Sequence, residues 1–315
     1  MIILSKVYIF NSNMKRFIIQ TILLVFPVLA VMILLECSLR NVSNDYIYKR
    51  DWMQAHSSEV KILNFGSSHT YFGIRPQFFC DCAFNLAFTS QSLKYDNFLY
   101  NQYALKCDSL RYIILPISYF TLRSDLEKGS EWWRAKGYCI YMGCTDHLYN
   151  PRYMLEITSK DKLKMLPEVL FGECDLKSCD EYGFGVSYKK EYRVDDWSSS
   201  GSVAAKRHTS THVERVDTNL QYLLSIINSC KERGVNVLLL TTPVYYTYME
   251  ALDTVQLEEM INVCHRLDDN NEHVVYLNWL QHQAFTEDDF YDADHLNEYG
   301  AEKLTKMLDE YILSW

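Results

Sequence analysis

Two short segments near opposite ends of the chain contain the residue types of a nucleophilic triad. The first, residues 65–69, reads Phe-Gly-Ser-Ser-His and follows a short apolar run. The second, residues 292–297, reads Asp-Ala-Asp-His-Leu-Asn and precedes a helical pattern. A serine on a tight turn after a strand presents its hydroxyl at the carboxyl edge of the sheet, where open α/β sheets bind ligands. We therefore predict Ser68 as nucleophile, His295 as base and Asp292 as the acid that orients the imidazole.

Each segment alone also has an ordinary structural explanation. A Gly-Ser-Ser turn is common in loops, and an Asp-x-x-His segment before a helix can be an N-terminal cap beside a surface histidine. Within the two segments, Ser67 and Asp294 compete for the roles of nucleophile and acid. The position in the turn favours Ser68, and the three-residue offset from the histidine favours Asp292.

The two segments resemble the SGNH branch of the GDSL-type serine hydrolases and acyltransferases. In that family the nucleophile is the third residue of a Gly-Asp-Ser turn, and the acid and base share a later Asp-x-x-His motif. Ser68, Asp292 and His295 stand at these positions. Residues 85–90, Asn-Leu-Ala-Phe-Thr-Ser, resemble the second family block, Asn-x-Gly-x-x-Gly. The resemblance therefore implies that the N–H of Ala87 belongs to an oxyanion hole.

The chain departs from the family pattern at three places. Ser67 replaces the family's aspartate, and Ala87 replaces its glycine. The third block, Gly-x-Asn-Asp, is missing, and residues 115–119 read Leu-Pro-Ile-Ser-Tyr in its place. Ser118 then stands where the family has its oxyanion asparagine. The resemblance implies an oxyanion hole formed by the N–H groups of Ser68 and Ala87 with help from Ser118.

Between these segments, apolar runs alternate with helical patterns, which indicates a parallel sheet with helices on both faces. The runs predicted as strands are 60–65, 83–88, 110–117, 235–241 and 273–277. We predict a flavodoxin-like three-layer α/β domain of about five parallel strands at 60–315. Residues 119–213 break the alternation and are predicted to form an insertion or lid over Ser68. Trp132, Trp133 or nearby tyrosines are expected to form one of its walls.

The N-terminal region predicts a membrane anchor. The 19 residues from Phe17 to Leu35 contain no charge, which is enough to cross a bilayer as a helix. We predict a tail at 1–16, a transmembrane signal anchor at 17–39 and a polar linker at 40–59. A cleaved signal peptide is the rival interpretation. Basic residues flank both ends of the run, and the short tail and the family resemblance favour an extracytoplasmic domain.

Composition narrows the remaining possibilities. A net charge of −9 argues against nonspecific binding of nucleic acid. The ten cysteines suit an oxidising compartment, but they form no pair of CxxC motifs, so neither a metal nor another cofactor is expected. Of the remaining histidines, we expect His69 to point away from the site and His208 and His212 to lie on the surface.

The resemblance, together with the anchor, implies a membrane-bound serine esterase or O-acyltransferase of the cell envelope. The expected ligands are an acylated glycan or acyl donor, and a membrane-bound O-acyltransferase is an expected partner. The missing third block favours an alternative, a catalytically inactive SGNH-fold scaffold that acts beside a membrane-embedded acyltransferase. A second alternative is a lipase or esterase that acts on small soluble esters.

Overall fold

The computed structural model describes residues 2–172 and 174–315, with side chains described from Met14 onward. Two compact units divide the chain. The first unit consists of Met1–Asn44 and Thr145–Leu176, and the sheet unit consists of Asp45–Cys144 and Lys177–Trp315.

Strands and helices alternate along most of the described chain. The strands are β1 (Ser43–Asn44), β2 (Ile62–Asn64), β3 (Ala83–Asn85), β4 (Tyr112–Pro116), β5 (Asp175–Leu176), β6 (Asn236–Thr241) and β7 (Val274–Asn278). The α-helices are α1 (Ile2–Arg40), α2 (Asp45–His56), α3 (Ser68–Tyr71), α4 (Leu93–Gln102), α5 (Ala135–Tyr141), α6 (Pro151–Met154), α7 (Lys160–Lys164), α8 (Leu166–Phe171), α9 (Ser200–His208), α10 (Val216–Arg233), α11 (Tyr246–Met249), α12 (Thr254–Asp269) and α13 (Glu298–Ser314).

The sheet unit contains one parallel sheet with the strand order β3-β2-β4-β6-β7. Strand β2 pairs with β3 on one side and with β4 on the other, and β6 connects β4 to β7. Counted within this sheet alone, the order is the 2-1-3-4-5 of flavodoxin-like domains. The predicted fold class is therefore confirmed.

Both faces of the sheet are covered. Ile62, Ile114 and Leu238 belong to one core cluster with Leu304 and Leu308 of α13. Because successive side chains of a strand point to opposite faces, the intervening residues of β2, β4 and β6 face the other side. They are buried as well. Nearly continuous apolar runs are typical of parallel strands covered on both faces.

Four of the five strands of this sheet are shorter than the apolar runs that predicted them. The run 60–65 contains β2 only at Ile62–Asn64, and the run 83–88 contains β3 only at Ala83–Asn85. In both cases the chain leaves the sheet to turn at its carboxyl edge. Apolar residues continue into these turns because the turns themselves are buried.

The segment predicted as a linker contains the helix α2, which packs into the sheet unit. Lys49 and Met53 of this helix are buried. The Lys49 ammonium donates a hydrogen bond of 2.6 Å to the carbonyl oxygen of Ala87. A polar composition predicted a solvated linker, but the Lys49 hydrogen bond and the stacking of Trp52 on Phe84 fix the helix to the sheet unit.

The first unit is built on α1. This helix begins at Ile2, so it includes most of the predicted tail, and its part at Met14–Arg40 is long and apolar enough to cross a membrane. Near its end, the Glu36 carboxylate accepts hydrogen bonds of 3.0 and 2.9 Å from the backbone N–H groups of Glu156 and Ile157. These contacts attach the 3-10 turn at Glu156–Thr158 to the end of the helix.

The turn after β2 requires glycine at position 66. Gly66 has φ +107°, which side chains other than glycine rarely adopt. A Cβ at this position would lie 1.9 Å from Cγ of Pro116 at the end of β4. The backbone of Gly66 can therefore approach the neighbouring strand closely, and this approach sets the direction in which the chain enters α3.

We expect Gly66→Ala to destabilise the sheet unit more than Gly234→Ala does. Both positions have positive φ, but nothing lies within 4 Å of a Cβ at Gly234. Unfavourable φ alone should cost about 1–2 kcal/mol of unfolding free energy, and the clash with Pro116 should add about 1–3 kcal/mol. Urea unfolding of the full chain in detergent measures both variants. Equal losses would contradict the role of the close approach.

Candidate active site

The nucleophile turn places Ser68 at the carboxyl edge of the sheet, as the first residue of α3. Ser67 precedes it in an extended conformation, and the Thr70 hydroxyl donates a 2.7 Å hydrogen bond back to the carbonyl of Phe65. Because the first N–H groups of a helix have no acceptor within the helix, the N–H of Ser68 is not used by the hydrogen bonds of α3.

A buried aspartate supports this turn from behind. Asp96 of α4 accepts hydrogen bonds from the N–H of Gly66 at 2.9 Å and from the amide of Gln91 at 2.6 Å. Burial raises the pKa of Asp96 to about 7, although both hydrogen bonds favour its charged form. The Tyr138 hydroxyl donates to the side-chain oxygen of Gln91 at 2.9 Å. This hydrogen bond connects α5 to the residues that hold the turn.

The acid and base lie on a tight loop before α13. Its ends are tied by an antiparallel bridge between Phe290 and Leu296, and Asn297 caps α13 by accepting from the backbone N–H groups of its first turn. Inside the loop, the Asp292 carboxylate accepts from the N–H of Asp294 at 3.1 Å and of His295 at 2.8 Å. These two backbone N–H groups fix the orientation of the Asp292 carboxylate independently of its contact with any side chain.

The structure brings Ser68, His295 and Asp292 into one hydrogen-bonded chain. The Ser68 Oγ lies 2.8 Å from Nε2 of His295. On the other side of the ring, Nδ1 lies 2.9 Å and 3.2 Å from the two carboxylate oxygens of Asp292. With the proton on Nδ1 donated to Asp292, Nε2 is free to accept the serine proton. This is the geometry that a nucleophile, its base and an orienting acid require.

A second carboxylate lies behind the same imidazole. Asp294 is only 2% exposed, against 26% for Asp292, and its Oδ2 lies 3.6 Å from Nδ1 of His295. The same oxygen lies 3.4 Å from Nε2 of His69, whose Nδ1 is 2.9 Å from the Ser118 hydroxyl. Because an ionised Asp294 can only accept, His69 carries its proton on Nε2 and accepts from Ser118 at Nδ1.

These carboxylates shift the titration of the cluster. Burial opposes the charged form of His295, but the charges of Asp292 and Asp294 outweigh it and raise the pKa of His295 to about 9. Burial lowers the pKa of His69 and lowers that of His208 to about 3, so both rings stay neutral. Burial disfavours the charged form of Asp294, but the neighbouring His295 and His69 hold its pKa well below the usual range.

Two histidine predictions are wrong. His69 does not point away from the site, because its ring packs edge-on against that of His295 with centroids 4.9 Å apart. His208 is not a surface residue, because its side chain is mostly buried and its Nδ1 lies 2.8 Å from the Tyr248 hydroxyl. Only His212, with an exposed side chain paired with Glu214, lies where it was expected.

Two of the three residues predicted for the oxyanion hole have other partners in the structure. The Ala87 N–H donates to the side-chain oxygen of Asn85 at 2.9 Å. The Ser118 hydroxyl is bonded to His69 rather than directed at the nucleophile. Of the three predicted groups, the N–H of Ser68 alone keeps its place beside the hydroxyl that would attack.

The buried cluster also has the composition of a metal site. One ligand atom each from His69, Asp294 and His295 lie within 4.8 Å of one another. A structural zinc site usually has four ligands, and here both imidazoles already make hydrogen bonds to serine hydroxyls and carboxylates. This pattern of donors and acceptors fits proton exchange better than metal coordination.

The structure has the arrangement that the motifs indicated, with a serine after β2 and an Asp-x-x-His loop before the last helix of a flavodoxin-like sheet. This arrangement is the one that the resemblance to SGNH/GDSL-type proteins implies. No protein-family model matches the chain, and no curated protein matches it in sequence.

Several solved structures are similar to this chain. A protein described as an acylhydrolase from Bacteroides fragilis has 9% identity and a TM-score of 0.43, covering 84% of this chain and 94% of its own. A GDSL-like lipase from Bacteroides thetaiotaomicron has 12% identity and a TM-score of 0.44, covering 85% and 100%. A protein from Streptococcus pneumoniae, described as a platelet activating factor, has 11% identity and a TM-score of 0.43, covering 92% and 98%. At this level of identity, the similarity says nothing about the function of this chain.

The triad opens into a cavity of about 490 Å³ lined by Ser68 and His295. Much of its wall comes from the predicted insertion, including Phe120, Arg123, Glu131, Arg134, Tyr188 and His208. Trp132 and Trp133 are not among the described residues that line it. The remainder of the insertion, Thr145–Leu176, belongs to the first unit.

The charges around His295 predict an unusual titration. We expect its imidazole to titrate near pH 9, because two carboxylates favour the protonated ring, and we expect Asp294→Asn to lower that pKa. NMR titration of histidine-labelled protein measures it. Since the chain has nine histidines, the resonance is assigned by its loss in His295→Gln. A wild-type pKa near 6.5, or one unchanged in Asp294→Asn, would contradict the assigned electrostatics.

Proposed function

We propose that this chain is a serine esterase or O-acyltransferase. The observation that carries the proposal is the chain of hydrogen bonds from Ser68 through His295 to Asp292, at the floor of an open cavity. His295 removes the serine proton, and the Ser68 oxygen attacks the ester carbonyl. His295 returns the proton to the departing alcohol, which leaves an acyl-enzyme.

The second half of the reaction decides between hydrolysis and transfer. Water or a sugar hydroxyl gives its proton to His295 and attacks the acyl-enzyme, and Ser68 regains its proton as it leaves. The N–H of Ser68 stabilises the developing oxyanion. The N–H of Ala87 also stabilises it if this group breaks its hydrogen bond to the Asn85 side chain and donates to the oxyanion instead. The family resemblance and the apolar helix α1 support a membrane-anchored protein that acts on acyl esters of cell-envelope glycans.

A second function is favoured by one specific observation. The Ala87 N–H and the Ser118 hydroxyl are bonded inside the protein, so the oxyanion hole is incomplete as it stands. Losing one oxyanion donor typically costs about 100- to 1000-fold in rate. A scaffold or binding partner of a membrane-embedded acyltransferase would use the cavity beside Ser68 to bind a ligand, and it would not require an oxyanion hole. An esterase that acts on small soluble esters is less well supported, because hydrolysis of a soluble substrate does not require the apolar helix α1.

We expect a fluorophosphonate to label Ser68 covalently, because the reagent reacts with an activated serine. Ser68→Ala should abolish labelling, whereas Ser67→Ala, on the neighbouring serine, should keep it. Since only neutral His295 can accept the serine proton, labelling should be faster at pH 9 than at pH 7. Mass spectrometry of the labelled peptide and the rate of labelling measure this. No labelling at either pH would favour the scaffold.

The anchor proposal makes a separate prediction about topology. If α1 spans the membrane with the sheet unit outside the cytoplasm, protease added to intact spheroplasts should digest that unit. A cytoplasmic protein in the same spheroplasts should stay intact as the control. Immunoblotting against a C-terminal tag measures both. Full protection of the tag until lysis would reverse the proposed orientation, and release of the protein without membranes would exclude the anchor.

A further inference from the structure

The cavity beside Ser68 is rich in arginine, although the chain as a whole carries a net charge of −9. Four arginines line it, namely Arg123, Arg134, Arg207 and Arg215, against two carboxylates, Asp125 and Glu131. A concave site lined by one sign of charge concentrates ligands of the opposite sign. The lining of this cavity is therefore positively charged, although the chain as a whole is negatively charged.

Two of the four arginines are neutralised inside the protein. Arg134 holds Glu131 through two hydrogen bonds of 3.1 and 3.2 Å. Arg123 bonds Glu259 at 2.9 Å, and its Nη1 also donates to the carbonyl of Ser210 at 2.6 Å. These two guanidinium groups fix the wall of the cavity and keep little capacity for a ligand.

The other two arginines keep unused donors. Arg207 has Asp294 as its nearest carboxylate, at 3.9 Å, and that oxygen already serves His69. Arg215 donates only a long bond of 3.4 Å to the carbonyl of Arg123, and its Nε is buried without a hydrogen-bond partner. Within the described chain, no carboxylate oxygen lies within 4.0 Å of Arg215. A buried guanidinium N–H without an acceptor is costly, so this one fits an acceptor supplied by a ligand.

We propose that Arg207 and Arg215 bind an anionic group, a carboxylate or a phosphate, of the molecule whose ester reaches Ser68. The planar fork of guanidinium donors matches both oxyanions. This inference rests on the proposed function for the ester, but the anion site itself needs no catalysis. It specifies an acidic or phosphorylated glycan rather than a neutral one. Few apolar side chains line the cavity, Phe120 and Leu126 among them, so a lipid chain fits less well.

The test measures binding of three sugars to the full chain in detergent, in the Ser68→Ala background so that no turnover occurs. The probes are glucose, glucuronate and glucose 6-phosphate, titrated by calorimetry or NMR. We expect at least one of the two anionic sugars to bind about tenfold or more tightly than glucose, since charge-assisted hydrogen bonds are the strong ones. Which of them binds more tightly distinguishes a carboxylate from a phosphate ligand.

Matched variants assign the binding to these side chains. Arg207→Gln combined with Arg215→Gln should reduce anion affinity to that of glucose. Lys206→Gln removes the same charge from an exposed neighbour that is outside the lining, and it should change affinity less than twofold. Should the double variant fail to fold, Arg207→Gln alone suffices, because that side chain is 64% exposed. A several-fold loss is expected from it.

Three results would overturn the inference: equal affinity for glucose and both anions, anion binding unchanged by the arginine variants, or an equal loss in Lys206→Gln. Failure of the proposed function looks different. Anion binding that depends on Arg207 and Arg215, without fluorophosphonate labelling of Ser68, would leave an anion-binding protein that is not an enzyme. Labelling without a preference for anions would leave the enzyme and remove the anion site.

Discussion

The buried charge of Asp294 is the constraint on which the arrangement of the site depends. A carboxylate removed from water is stable only if cations or strong donors surround it. His69 from the nucleophile turn donates to it, and His295 from its own loop lies beside it as a cation. These two elements come from opposite ends of the sheet unit. The need to compensate one carboxylate therefore holds the nucleophile turn and the acid–base loop in register.

Local patterns were sufficient to predict the sheet and the three residues that form the hydrogen-bonded chain at its carboxyl edge. Apolar runs located all five strands, and the short turn after β2 located Ser68, because strand, turn and helix are all set by neighbours in sequence. The Asp-x-x-His spacing located Asp292 and His295 for the same reason: one loop fixes both. The ends of β2 and β3 could not be predicted, because the buried turns that follow them are as apolar as the strands.

Residues that join the site through distant contacts could not be predicted. His69 meets Asp294 across 225 residues, so nothing near it in sequence indicates that its ring turns inward. His208 lies in a polar stretch, and only the fold shows that it packs against Tyr248. For Ala87, the motif predicted the position of an N–H group but not its acceptor, because the Asn85 side chain folds back along the chain. Composition likewise concealed a basic cavity inside an acidic protein.

The Asn85 side chain is the point at which the two proposed functions separate. A developing oxyanion is a stronger acceptor than a neutral amide oxygen, so it could take the Ala87 N–H from Asn85 in a transition state. That exchange requires the amide to rotate. Its nitrogen, however, donates 2.9 Å hydrogen bonds to the carbonyls of both Thr70 and Ile74, which resist rotation. A ligand that moves α3 would weaken those two bonds and complete the hole. Without such a movement, the same hydrogen bonds keep the site in a form suited to binding.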